Sequence, residues 1–131
     1  MLFSLLSPQR KLIDAETIDE LFVPGVMAQL NILENHANLV SKLETGMVRW
    51  RQGTTWHKAV ISTGLVEVFD NHVTVMADVA ELAEEIDVNR AKSALERARK
   101  KLDEGGLDDA TYRKQELKLK RAMARSEVSA R

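Results

Sequence analysis

The chain has 131 residues, 44% of them hydrophobic and 30% charged, which suits one small domain plus an extension and leaves no room for two full enzyme domains. It contains no cysteine, so disulfides, Cys-ligated zinc and thiol nucleophiles are excluded. A net charge of −1 hides a segregation: 12 basic stand against 18 acidic residues up to Asp109 and 7 basic against 2 acidic from Ala110 onward, so a body near −6 carries a tail near +5.

Met1 to Pro8 holds a short apolar run without a positive stretch before it or a small-residue cleavage site after it, which predicts a first strand and not a signal peptide. No apolar run approaches the ~20 residues that span a bilayer, so membrane association is expected only through a partner. Asp19 to Val23 predicts a second short strand, closed by Pro24-Gly25, where proline presets one dihedral and glycine admits positive φ. The stretch after it reads as a loop. Val48 and Trp50 then alternate with Met47, Arg49 and Arg51, and Gln52-Gly53 turns the chain into Thr55 to Ser62, a hairpin signal. Gly64, ahead of Val66 to Phe69, marks a bulge or a change of sheet. Asp70-Asn71 leads tightly into His72 to Ala77, where Val73, Val75 and Ala77 share one face. Short strands at this spacing predict a sandwich or barrel.

At about Glu85 the period changes. Val88, Ala91, Ala94, Leu95, Ala98 and Leu102 fall within an arc of about 120° on a helix that Asp87 caps and Gly105-Gly106 ends. Asp108 caps a second helix from Asp109 to about Glu127. Its apolar residues form two narrow stripes, Ala110, Leu117, Ala124 and Val128 on one side, Tyr112, Leu119 and Met123 nearly opposite, which predicts two contact surfaces or a partly exposed helix. The fold class is therefore α+β in two parts, an antiparallel β-sandwich or barrel over residues 1–84 and an α-helical hairpin over 85–131. The basic tail of the hairpin is suited to an acidic surface, this chain's own or a partner's, and equally to solvent.

Catalytic signals are absent. His36, His57 and His72 fall in separate turns and strands, without carboxylates at metal-ligand spacing. Glu81, Glu84, Glu85 and Asp87 cluster at the boundary but point in different directions and specify no acid/base pair. There is no phosphate-binding loop, nucleophile elbow or dinucleotide fingerprint, and the tail lacks the aromatic platforms of a single-strand nucleic-acid binder.

Several strings in order carry a family likeness. They are Ser7-Pro8 after the first strand, Val23-Pro24-Gly25, the loop Asn31 to Leu39 around His36, Gly46, Ser62 to Val68, Val73 to Asp78, and the helix opening Ile86-Asp87-Val88-Asn89-Arg90-Ala91. Together they span nearly the whole chain, which resembles the epsilon subunit of a bacterial F-type ATP synthase. The resemblance implies a non-catalytic rotor subunit of the central stalk, peripheral on the cytoplasmic face of the bacterial inner membrane, that couples gamma rotation to the c-ring in proton-driven ATP synthesis. It implies a sandwich that grips the gamma subunit and rests on the c-ring, and a hairpin that extends into the alpha/beta catalytic hexamer to inhibit ATP hydrolysis. In that state Arg113, Lys114, Lys118, Lys120, Arg121 and Arg125 would face an acidic segment of the beta subunit.

His36 matches the histidine of the family loop at the gamma and c-ring end; a loop histidine bonded to backbone accounts for it equally. The loop departs from the family pattern at Ala28, Gln29, Asn31, Glu34 and Asn38, with Gln29 replacing a commonly acidic residue and Asn31 expected to take up a turn where the family has glycine. No cofactor is required. Ile86, Asp87, Arg90 and Ala91 match a motif with which some relatives bind regulatory ATP, and Glu81 and Arg97 stand where further residues join that site. An N-capping Asp87 with a solvated Arg90 explains the same motif without a ligand. The alternative function is a free-standing ATP-sensing interaction module.

Overall fold

The computed structural model describes residues 1–129, so the last two residues of the 85–131 segment lie outside the described residues. Eight strands run as β1 (Leu2–Leu6), β2 (Lys11–Thr17), β3 (Glu20–Pro24), β4 (Gln29–Leu33), β5 (Leu39–Leu43), β6 (Gly46–Gln52), β7 (Thr55–Phe69) and β8 (His72–Leu82). A 3-10 turn, Ala83–Glu85, leads to α1 (Val88–Glu104) and α2 (Asp109–Ser129).

The strands order as β2-β1-β8-β7-β6-β3-β4, with β5 added beside β7. All pairings are antiparallel except β1 with β8, which is parallel. β7 builds both layers, pairing through residues 55–61 with β6 and through residues 64–68 with β5. Gly64 sits at this change of partner and is no bulge, since its register with β8 continues that of Ser62. A Cβ at Gly64 would lie 2.9 Å from the Cα of Ala77, so the strands approach there only because the side chain is absent.

Alternation along the strands fills the space between the layers. Phe3, Leu5, Leu21, Ile32, Val48, Ile61, Val66, Val73 and Val75 are fully enclosed, and Phe3 meets Trp50 across the core with ring centroids 5.2 Å apart. The stretch expected as a loop contains β4 and β5. Asn31 lies in β4 opposite Phe22, and the positive φ falls instead on Asn35 in the β4–β5 turn.

Both helices start as expected: Asp87 accepts from the amides of Asn89 (3.0 Å) and Arg90 (3.1 Å), and Asp108 from the amide of Thr111 (2.7 Å). Gly105 and Gly106, with φ of +70° and +72°, turn the chain from α1 into α2 at no steric cost. The hairpin lies against the sandwich. Ala124 and Val128 of α2 bury against Val60 of β7, with Met47, Ala83 and Ile86 around them. Gln115 and Ala122, seven residues apart on the α1 side of α2, are also buried, while Tyr112 and Met123 of the opposite stripe are exposed.

Candidate functional site

Where the 3-10 turn and α1 leave the sandwich, and α2 returns over them, a cleft of about 640 Å³ opens. Glu81, Ile86, Asp87, Arg90, Ala91 and Arg97, singled out from the sequence, all line it. Helical spacing explains the convergence. Arg90, Arg97 and Lys101 recur at seven and four residues on α1, and Lys118, Arg121 and Arg125 at three and four on α2, so each triplet projects from one face. Ala91, Ala94 and Ala98 form the floor, and their small side chains keep the volume open.

Six basic and three acidic side chains line the cleft, a charge of +3. Each carboxylate is engaged. Glu81 accepts from Arg125, whose Nε is 2.7 Å away and whose Nη2 makes a second, shorter bond. Among the described residues, the hydrogen bonds to the Asp87 carboxylate land on Oδ1. Glu85 accepts from the Leu82 amide at 2.9 Å and from Arg10 Nη2 at 2.8 Å; the bond from Arg10, then that from Leu82, hold its carboxyl below the usual carboxylate range. Among the described residues, Arg121 Nε is buried without a hydrogen-bond partner. Six cations on two facing helices, against three carboxylates, suit a flexible polyanion able to reach both helices.

The second-helix cations divide. Lys118, Arg121 and Arg125 line this cleft, and Lys120 lines a second, more apolar one between α2 and the sandwich. Arg113 and Lys114 are exposed and line neither. Gln115 and Lys101 join the cleft without having been singled out, and Glu85, noted in the sequence only as one of the boundary carboxylates, joins it as well. Gln115 lies on neither apolar stripe of α2, and no sequence pattern pointed to it.

His36 lies in the β4–β5 turn, its Nδ1 2.8 Å from the carbonyl oxygen of Ala37. Gln29 opens β4, which spans about 13 Å at ~3.3 Å per residue, and His36 lies beyond its other end, so the two are not brought together. His57 stacks on Trp50, and His72 Nε2 lies 3.3 Å from Ser4 Oγ. Among the described residues no group of three or more His, Asp or Glu side chains could hold a metal ion, and no helix is long and apolar enough to cross a membrane.

Among the described residues, one sheet face is largely uncovered, meeting α2 only near Leu65, which also lines the second cleft. The register of β5, β7, β8 and β1 places Val40, Leu65, Phe69, Met76 and Leu2 on the outer side of one layer, and all five are exposed.

A β-sandwich followed by a helical hairpin that folds back on it around a cationic cleft defines a two-part α+β protein. The chain belongs to the ATP synthase epsilon chain family. Residues 1–83 match the family model of the ATP synthase Delta/Epsilon chain beta-sandwich domain, and residues 84–130 that of its long alpha-helix domain. The ATP synthase epsilon chain of Halalkalibacterium halodurans is 38% identical over 128 residues, covering 98% of this chain and 96% of that one. That of Symbiobacterium thermophilum is 39% identical over 126 residues, covering 95% and 89%. Among solved structures, a chain of the Euglena gracilis mitochondrial ATP synthase (OSCP/F1/c-ring, rotational state 1) has the same fold, with a TM-score of 0.86 at 23% identity over 100% of this chain and 81% of that one.

Proposed function

We propose that this chain is the non-catalytic epsilon subunit of the central stalk, whose sandwich seats gamma and the c-ring and whose hairpin restrains ATP hydrolysis. The cleft holds ATP as a regulator that favours the folded-back hairpin. The observation that carries this reading is the meeting of Glu81, Ile86, Asp87, Arg90, Ala91 and Arg97 with Lys118, Arg121 and Arg125 around one cationic space. Arg90, Arg97 and Arg121 would hold the phosphates by charge-assisted bonds, and Asp87 Oδ2 would accept from the adenine amino group or a ribose hydroxyl. Ile86 and Ala91 supply an apolar wall for the base.

The regulation follows from shared cations. Lys118, Arg121 and Arg125 face ATP in the folded-back hairpin and the acidic segment of the beta subunit in the extended one, whereas Arg113, Lys114 and Lys120 are free for the beta subunit alone. ATP bound in the cleft therefore competes with the inhibitory state, shifting the hairpin by its differential affinity for the two forms. The gamma contact is assigned to the uncovered face with Val40 and Phe69, an exposed apolar patch of the kind that marks protein interfaces. His36 and Gln29 remain candidates for the gamma and c-ring contact, at separate ends of β4. Residues 1–84 act as the seat and 85–131 as the moving part, and the chain joins the cytoplasmic face of the inner membrane through the complex.

Isothermal titration of the full chain with ATP tests the reading. Binding is expected for the wild type and abolished in Asp87→Ala and Arg90→Ala. A folded wild-type chain that gives no ATP response would refute it.

A further inference from the structure

Of the three cleft carboxylates, only Glu85 draws its ionic partner from outside the cleft. Glu81 is paired by Arg125, and Asp87 by the first amides of α1, but Glu85 is paired by Arg10, in the turn between β1 and β2. Arg10 is not a lining residue. Its Nη2 lies 2.8 Å from Glu85 Oε1 and 3.3 Å from the carbonyl oxygen of Ala80, and the same Glu85 oxygen accepts from the Leu82 amide at 2.9 Å. One guanidinium thus ties the β1–β2 turn to the end of β8 and to the 3-10 turn from which the hairpin departs. Glu81 lies close enough to raise the pKa of Arg10 further, so the cation answers two cleft carboxylates.

We propose that Arg10 is a positioning residue that acts on the cleft through Glu85: it neutralises that carboxylate and thereby sets how tightly the cleft takes a polyphosphate anion. Without it, Glu85 presents a negative charge with no cation beside it in a site meant for a polyanion. The inference rests on the ATP reading above. The pair is partly exposed, so the effect is moderate, about two- to five-fold in affinity.

The test is calorimetric titration of the full chain with ATP in the wild type, Arg10→Ala, Arg10→Lys, Glu85→Gln and the double variant Arg10→Ala/Glu85→Gln, with thermal melts to verify folding. Arg10→Ala should weaken binding about two- to five-fold, Arg10→Lys should retain most of it, and the double variant should bind at least as tightly as the wild type, because the repelling carboxylate is gone. A merely structural role for Arg10 would leave the double variant as weak as Arg10→Ala. That result, or an Arg10→Ala chain that binds ATP as the wild type does, would overturn the proposal while leaving the ATP reading standing. A wild type that binds no ATP would sink both.

Discussion

The hairpin is held to the sandwich by much less than holds the sandwich together. Val60, Ala124 and Val128 form the buried contact between the parts, against nineteen buried residues in the sandwich core. Val128, 1% exposed, makes its burial only when α2 is docked, so Val128→Ala isolates the docking contact. Removing the equivalent of two buried methylene groups costs about 1.6 kcal/mol by transfer, and the void left against Val60 brings the loss to about 2 kcal/mol. That is a roughly thirty-fold shift of the docking equilibrium. Hydrogen exchange read by residue is the assay: α2 amides should exchange about thirty-fold faster while β7 and β8 amides keep their protection. Exchange rising in parallel in α2 and in β7 and β8 would refute the two-part account, because it would mean that the hairpin and sandwich open only as one unit.

Gly64→Ala should lower the urea midpoint of the sandwich substantially, by a loss of about 3 kcal/mol, since its Cβ would meet the backbone of Met76 and Ala77; an unchanged midpoint would contradict the close approach of β7 and β8. Bonds from the Thr111 side chain and amide depress the pKa of Asp108, so its support of α2 is present above the unfolded carboxylate pKa and is lost as pH falls through the lower folded value. Amide exchange at Thr111 and Tyr112 should therefore rise on acidification, and Asp108→Asn should blunt the pH dependence. Arg121→Ala should weaken ATP binding about ten-fold or more, as expected for a charge-assisted bond, whereas Arg113→Ala and Lys114→Ala should leave it unchanged; the reverse pattern would contradict the division of the second-helix cations.

The parts of the fold visible in the sequence were those with many buried alternate residues. β6, β7 and β8 carry such rows and were legible, β7 as two runs, β8 as far as Ala77, and Gly64 as a bulge or a change of sheet. β2, β4 and β5 each bury a single residue fully, Ile13, Ile32 and Leu43, so their period-two signal is faint and β4 and β5 read as loop. Each also pairs with one neighbour only, and Asn31 took the place of a strand residue where a turn was expected. The cleft was half legible. Ile86, Asp87, Arg90 and Ala91 lie close in sequence at a helix start, but the contributions of Gln115, Lys118 and Arg121 depend on how α2 docks, which distant packing at Val60 decides. Arg10 lies about 75 residues from Glu85 in the chain, and no local pattern joins them.

The central claim, a stalk subunit seated on gamma through the uncovered sheet face, is tested most directly by titrating the folded chain with the ATP synthase gamma subunit, beside Phe69→Glu. The account predicts saturable one-to-one binding by the wild type and at least ten-fold weaker binding by the variant, roughly the penalty of a charge in an apolar contact. A wild-type chain with an intact cooperative melt that does not bind gamma would contradict it.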